Sequence, residues 1–137
     1  MKRLAFGIAT IVVGATAGCG KPTLTLQETE SATRDFREHY ERKEFGQLYA
    51  SAAPEFRAGA SEMLFVEAMK NISQKLGTWQ SGSRVGSGQV PGADDKVVFQ
   101  YRSQFSKGEA TENFIWRRAD GGPILVGYHI NSRALGL

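Results

Sequence analysis

The spacing of apolar positions changes twice along the chain, and each change predicts a different kind of element. An uncharged run from Leu4 to Ala17 comes first, behind Lys2 and Arg3. From Thr25 the period is helical. Thr25-Leu26-Gln27-Glu28 has the form of a capping box, and Ala32, Phe36 and Tyr40 then mark one face of a helix. The opposite face carries Arg34, Arg37, Glu38, Glu41 and Arg42 and is predicted to be solvated. Phe45 to Ala50 predicts one or two turns interrupted by Gly46, and Pro54-Glu55-Phe56 predicts a bend. Ser61 is placed to cap a second long helix with the stripe Phe65, Met69, Ile72 and Leu76, which Gly77 ends.

From Thr78 the period becomes two. Trp79 to Val90 predicts a glycine-rich first strand, and Lys96 to Phe105 alternates with Val97, Phe99, Tyr101 and Phe105 on one face. Lys107-Gly108 marks a turn before Glu109 to Arg118, and Asp120-Gly121-Gly122-Pro123 marks another before Ile124 to Asn131. A two-residue loop at Lys107-Gly108 would set Phe99 opposite Trp116, Tyr101 opposite Phe114, Ser103 opposite Glu112 and Phe105 opposite Ala110. The aromatic residues then share one face, and a slip of one residue would scatter them. The expected fold class is α+β, with N-terminal helices packed on one face of a curved antiparallel sheet of about four strands.

The N-terminal segment has the layout of a secretory signal: a positive start, an apolar stretch and small residues. Its 14 uncharged residues fall short of the roughly 20 that a membrane-spanning helix needs. Thr16-Ala17-Gly18-Cys19 resembles the lipobox of bacterial lipoproteins, in which a small residue precedes an acylated cysteine. That resemblance implies a diacylglyceryl thioether and an N-acyl group on Cys19, hence a membrane partner and a periplasm-facing place in the cell envelope. The absence of aspartate from Gly20-Lys21 favours the outer membrane. Ala15-Thr16-Ala17 also fits an ordinary cleavage site, which would release a soluble protein. The expected organisation is a signal peptide over 1–18, a lipidated tether over 19–24 and a single domain over 25–137.

Charge narrows the field. Of the 17 basic residues, Lys2 and Arg3 belong to the signal, while all 14 acidic residues lie after it. The mature chain therefore carries 15 − 14 = +1, too little for a phosphate-backbone footprint, and nucleic-acid binding is not expected. Cys19, the single cysteine, excludes an intramolecular disulfide. Together with His39 and His129 it leaves no zinc-ligand set, so neither metal nor cofactor is expected.

Phe36-Arg37-Glu38-His39-Tyr40, Phe45-Gly46-Gln47-Leu48-Tyr49, Pro54-Glu55-Phe56, the helix end Leu76-Gly77 and the closing Val126-Gly127-Tyr128-His129-Ile130 resemble small secreted proteins of the nuclear-transport-factor-two-like fold. The resemblance spans roughly residues 25 to 132 and implies a cone with a pocket between helices and sheet. Glu112 is predicted to lie on the aromatic face, opposite Tyr128 or Ile130 in the last hairpin. A carboxylate among aromatic rings is a setting suited to general-base chemistry, and Tyr101, Glu112, Trp116 and Tyr128 form the candidate ligand pocket. No nucleophile set accompanies them, and no catalytic residue is assigned. His129 points away from Tyr128 by alternation, His39 reads as structural, and Arg117-Arg118 reads as a solvated strand end. The outer sheet face, with Arg102, Gln104, Asn113 and Arg117, is a candidate surface for a protein partner or a homodimer.

The expected function is therefore a membrane-anchored, non-catalytic binding or interaction module. One alternative is a small-molecule carrier or enzyme using a cone pocket around Glu112. The other is a soluble secreted module cleaved after Ala17.

Overall fold

The computed structural model describes residues 23–136. The helical period is realised as α1 (Leu26–Glu41), α2 (Phe45–Ser51), α3 (Pro54–Gly59) and α4 (Glu62–Leu76). The alternating period is realised as β1 (Trp79–Val90), β2 (Ala93–Phe105), β3 (Gly108–Ala119) and β4 (Gly122–Asn131), followed by a single 3₁₀ turn, Arg133–Leu135. The strands form one antiparallel sheet in chain order, β1-β2-β3-β4, and the helices pack on one face of it.

Local chemistry sets the helix ends. The Thr25 side chain accepts the Glu28 N–H while the Glu28 carboxylate accepts the Thr25 N–H, so the capping box is complete. Ser61 caps α4 by accepting from the Leu64 N–H. Gly77 ends it at φ +78°, a backbone setting that other residues reach only at a cost. The expected bend at Pro54 is instead α3, which Pro54 opens because a first-turn proline sacrifices no helical hydrogen bond.

Phe36 and Tyr40 of α1, Phe45 and Leu48 of α2, and Met69 and Leu76 of α4 are buried against Phe99, Tyr101, Phe105, Phe114, Trp116 and Leu125 of the sheet. Phe36 meets the ring of Phe114 edge-on at 5.0 Å and lies 4.8 Å from that of Tyr128. Aromatic contacts of this geometry add to the free energy of burial itself.

The inward face is as expected, but the register of the β2–β3 hairpin is not. Phe99 pairs with Phe114, Tyr101 with Glu112, Ser103 with Ala110 and Phe105 with Gly108, so the loop is Ser106-Lys107. This is a shift of two positions, which moves neighbours but preserves faces. The cause lies outside the hairpin: the Ser106 N–H bonds to the Thr78 carbonyl and the Lys107 N–H to that of Leu76. The end of α4 thereby fixes which two residues turn. In the last hairpin the loop is also two residues, and an irregularity between Ile115 and Trp116 leaves Val126 unpaired. That extra residue lets Leu125 face the core opposite Trp116 while Tyr128 faces it opposite Phe114.

Candidate functional site

Glu112 lies at the centre of the inward face and is 1% exposed. Its register partners are Tyr101 on β2 and, of the two positions expected on β4, Ile130. The Tyr128 hydroxyl nevertheless reaches it diagonally and donates to Oε2 at 2.6 Å. Ser103 donates to Oε1 at 2.6 Å. The third partner is Arg37, whose Nη1 sits 2.9 Å from Oε1 and whose Nη2 donates to Ser103 Oγ at 3.2 Å.

Arg37 corrects the expectation of a wholly solvated charged face on α1. It is 8% exposed, with its guanidinium 4.4 Å from the ring centroid of Trp79, 5.6 Å from that of Tyr101 and 5.5 Å from that of Phe114. A planar guanidinium can stack on an indole and still donate sideways to a carboxylate. Arg34, Glu38, Glu41 and Arg42 do remain exposed. The carboxylate expected among aromatic rings is therefore ion-paired and held by two hydroxyls as well. The Tyr128 phenol is pushed well above its ordinary pKa, first by burial and then by the Glu112 charge beside it.

Trp116 does not join this group. It is stacked parallel to Phe114 at 6.0 Å, and its Nε1–H has no hydrogen-bond acceptor among the described residues. Of the four predicted pocket residues, the structure joins Glu112 and Tyr128 directly, sets Tyr101 beside Arg37, and places Trp116 apart. His129 is exposed, as alternation implies, and His39 Nδ1 contacts Glu44 at 2.6 Å. Arg117 and Arg118 sit half-exposed at the end of β3, and both have carboxylate partners. They are ion-paired with Glu55 of α3 and Glu28 of α1, at 2.6 and 2.8 Å. Cys19, the lipidation candidate, lies outside the described residues.

Above the Arg37–Glu112 pair, a groove of about 520 Å³ opens between α1 and the β1–β2 hairpin. Trp79 and Tyr101 line it with Arg37, and Arg34, Arg42 and Arg84 are among its further lining residues. These last three arginines form no ion pair among the described residues, whereas Glu41 Oε1 accepts the Trp79 backbone N–H at 2.7 Å. Gly82 gives the indole its place. A Cβ there would lie 2.9 Å from Ser103 Oγ and 3.3 Å from the Trp79 ring. Trp79 Nε1–H is a second buried donor without an acceptor among the described residues.

The groove was missed in the sequence because β1 lacks clear alternation, although Trp79 followed by Gly82 was the available signal. Among the described residues no cluster of His, Cys, Asp and Glu could hold a metal, and no helix is long and apolar enough to cross a membrane. No protein-family model matches the chain, and no curated protein is significantly similar to it in sequence.

Proposed function

We propose that this chain is a cell-envelope lipoprotein anchored through Cys19, and that its nuclear-transport-factor-two-like domain is a non-catalytic binding module whose site is the groove between α1 and β1–β2. The observation that carries the binding reading is the groove itself: an aromatic floor of Trp79 and Tyr101 under Arg34, Arg42 and Arg84, which form no ion pair among the described residues although Glu30, Glu38 and Glu41 also line it. A flat apolar ligand bearing an anionic group matches it, since the rings would cover the apolar body and Arg84, Arg34 or Arg42 would meet the charge. Binding is favoured over general-base catalysis because the Glu112 oxygens are committed to Arg37, Ser103 and Tyr128.

The start of the domain is compatible with a short tether. Arg118 Nη2 donates to the Thr23 carbonyl at 3.0 Å, so the chain is fastened to the end of β3 four residues after Cys19. Four extended residues span at most about 14 Å, which would hold that end of the sheet close to the membrane.

Two measurements test the two parts separately. Intact mass and fatty-acid labelling of cells expressing the wild type should show a lipid-modified N-terminus at Cys19 that Cys19→Ser abolishes. A mature N-terminus at Gly18 without lipid would overturn the anchor. Titration of the purified domain with 8-anilinonaphthalene-1-sulfonate, an aromatic anion with an apolar body, should give saturable fluorescence. Arg84→Ala and Trp79→Ala should each weaken it about two- to fivefold, as loss of a partly exposed charge or cation–aromatic contact does. Binding that is absent, or indifferent to both substitutions, would overturn the groove assignment.

A further inference from the structure

The groove between α1 and β1–β2 runs beside an open sheet edge. β1 stands first in the sheet and pairs only with β2. Its Trp79 N–H is taken by Glu41, but beyond that residue no other described group hydrogen-bonds to the strand's backbone from the side away from β2. β1 also lacks the lysine and proline that commonly blunt an exposed edge. Its register is irregular between Trp79 and Ser81 and again between Arg84 and Gly86, which leaves residues 81–84 as a regular stretch. Gly82 and Arg84 of that stretch line the groove. The facing wall is α1 from Glu30 to Arg42, about 18 Å at 1.5 Å per residue. The β1 wall, from Trp79 to Arg84, is about 17 Å at 3.3 Å per residue. A slot bounded by a free strand edge and a helix flank of matching length has the dimensions of one added strand.

We propose that the groove takes an extended peptide, which adds to the sheet by main-chain hydrogen bonds to residues 81–84 of β1. This rests on the groove reading and names the class of its ligand. Alternate side chains of an added strand turn to the same face, about 6.7 Å apart. An apolar residue on the inward face covers Trp79 and Tyr101. An acidic residue two positions before or after it meets Arg84, or Arg34 and Arg42 across the slot, none of which forms an ion pair among the described residues. The intervening residues face solvent and are polar.

The probe is the heptapeptide TETFTET, acetylated and amidated so that only its two glutamates carry charge. In ¹⁵N-labelled protein it should shift the backbone amides of Gly82, Ser83 and Arg84 saturably and displace 8-anilinonaphthalene-1-sulfonate. The isomer ETTFTTE keeps the composition but turns both glutamates to the other face, and should bind about fivefold more weakly, the size of lost solvent-exposed charge pairs. Successive N–H groups of a strand point to opposite edges. N-methylation at the phenylalanine and at the threonine after it should therefore differ, one costing about tenfold through a lost hydrogen bond and the other little. Absence of amide shifts at millimolar peptide, equal binding of the two isomers, or equal effects of the two N-methylations would overturn strand addition. If the sulfonate still binds in an Arg84-dependent way under any of those results, the groove stands and only the peptide is wrong. If the sulfonate fails as well, the groove assignment falls with it.

Discussion

Replacing Arg37 by methionine keeps most of the aliphatic stem but removes the only cation within reach of the Glu112 oxygens among the described residues. Glu112 is 1% exposed, so the abandoned carboxylate cannot turn to water. Breaking a buried pair from one side costs about 3–5 kcal/mol. Loss of the guanidinium stack on Trp79 at 4.4 Å adds about 0.5–1 kcal/mol. A domain of this size has roughly 5–15 kcal/mol in total, so the variant should be severely destabilised. With a urea m-value of about 1.5 kcal/mol/M, a 3 kcal/mol loss moves the unfolding midpoint down by about 2 M. Glu112→Gln should cost less, because the amide still offers an oxygen to Ser103 or Tyr128 and the stranded guanidinium retains its aromatic neighbours. The double variant Arg37→Met/Glu112→Gln should recover much of the loss, with a coupling energy of about 2–3 kcal/mol. Urea unfolding followed by far-ultraviolet circular dichroism measures all four proteins. A loss below about 1 kcal/mol for Arg37→Met, as at an exposed pair, or simple additivity in the double variant, would refute the buried ion pair as a stabilising unit.

Two further outcomes are expected. Glu28 and Glu55 titrate at about 2 in the folded protein against an ordinary value of 4.5, Glu28 held down first by the Thr25 N–H and then by Arg118, Glu55 by Arg117. Their contribution is complete above pH 4.5 and disappears as pH falls towards 2. The combined variant Arg117→Met/Arg118→Met should therefore lose less stability over that interval than the wild type, and identical urea midpoints versus pH would contradict this. Gly77→Ala should cost roughly 2–4 kcal/mol: its φ of +78° with ψ of −149° suits glycine alone. The new Cβ would also fall 2.0 Å from Ser106 Oγ, displacing the acceptor of the Thr78 N–H. A midpoint within error of wild type would show that the helix end relaxes without strain.

Much of the fold was legible because its determinants are local. Thr25 and Glu28 cap each other within four residues, and alternation from Val97 to Phe105 needs only knowledge of which side is covered. What escaped depended on contacts between distant segments. Ser106-Lys107 rather than Lys107-Gly108 forms the turn because Leu76 and Thr78 supply its acceptors. Gly108 sits in the strand, packed so that a Cβ would lie 3.4 Å from that of Ala134. Glu112 was correctly placed on the aromatic face, but its setting was misjudged, since nothing local distinguishes Arg37 from Arg34 or Arg42. Burial of Arg37 follows from Trp79 folding over it, and Trp79 belongs to the strand with the weakest pattern. Trp116 had the right face but lies on the far side of Phe114 from Glu112.

The ion pair also sets an order of events during folding. Each strand pairs with its neighbour in sequence, so the sheet assembles from short-range contacts that close quickly. Arg37, by contrast, waits for Ser103, 66 positions later, and then for Glu112 and Tyr128. In a chain synthesised from its N-terminus, the α1 segment is made long before the groups that let its arginine be buried. Docking of α1 then belongs after the main barrier, where a contact slows unfolding more than it speeds folding. Arg37 acts in this sense as a late latch: stopped-flow measurements should find Arg37→Met folding at nearly the wild-type rate and unfolding much faster.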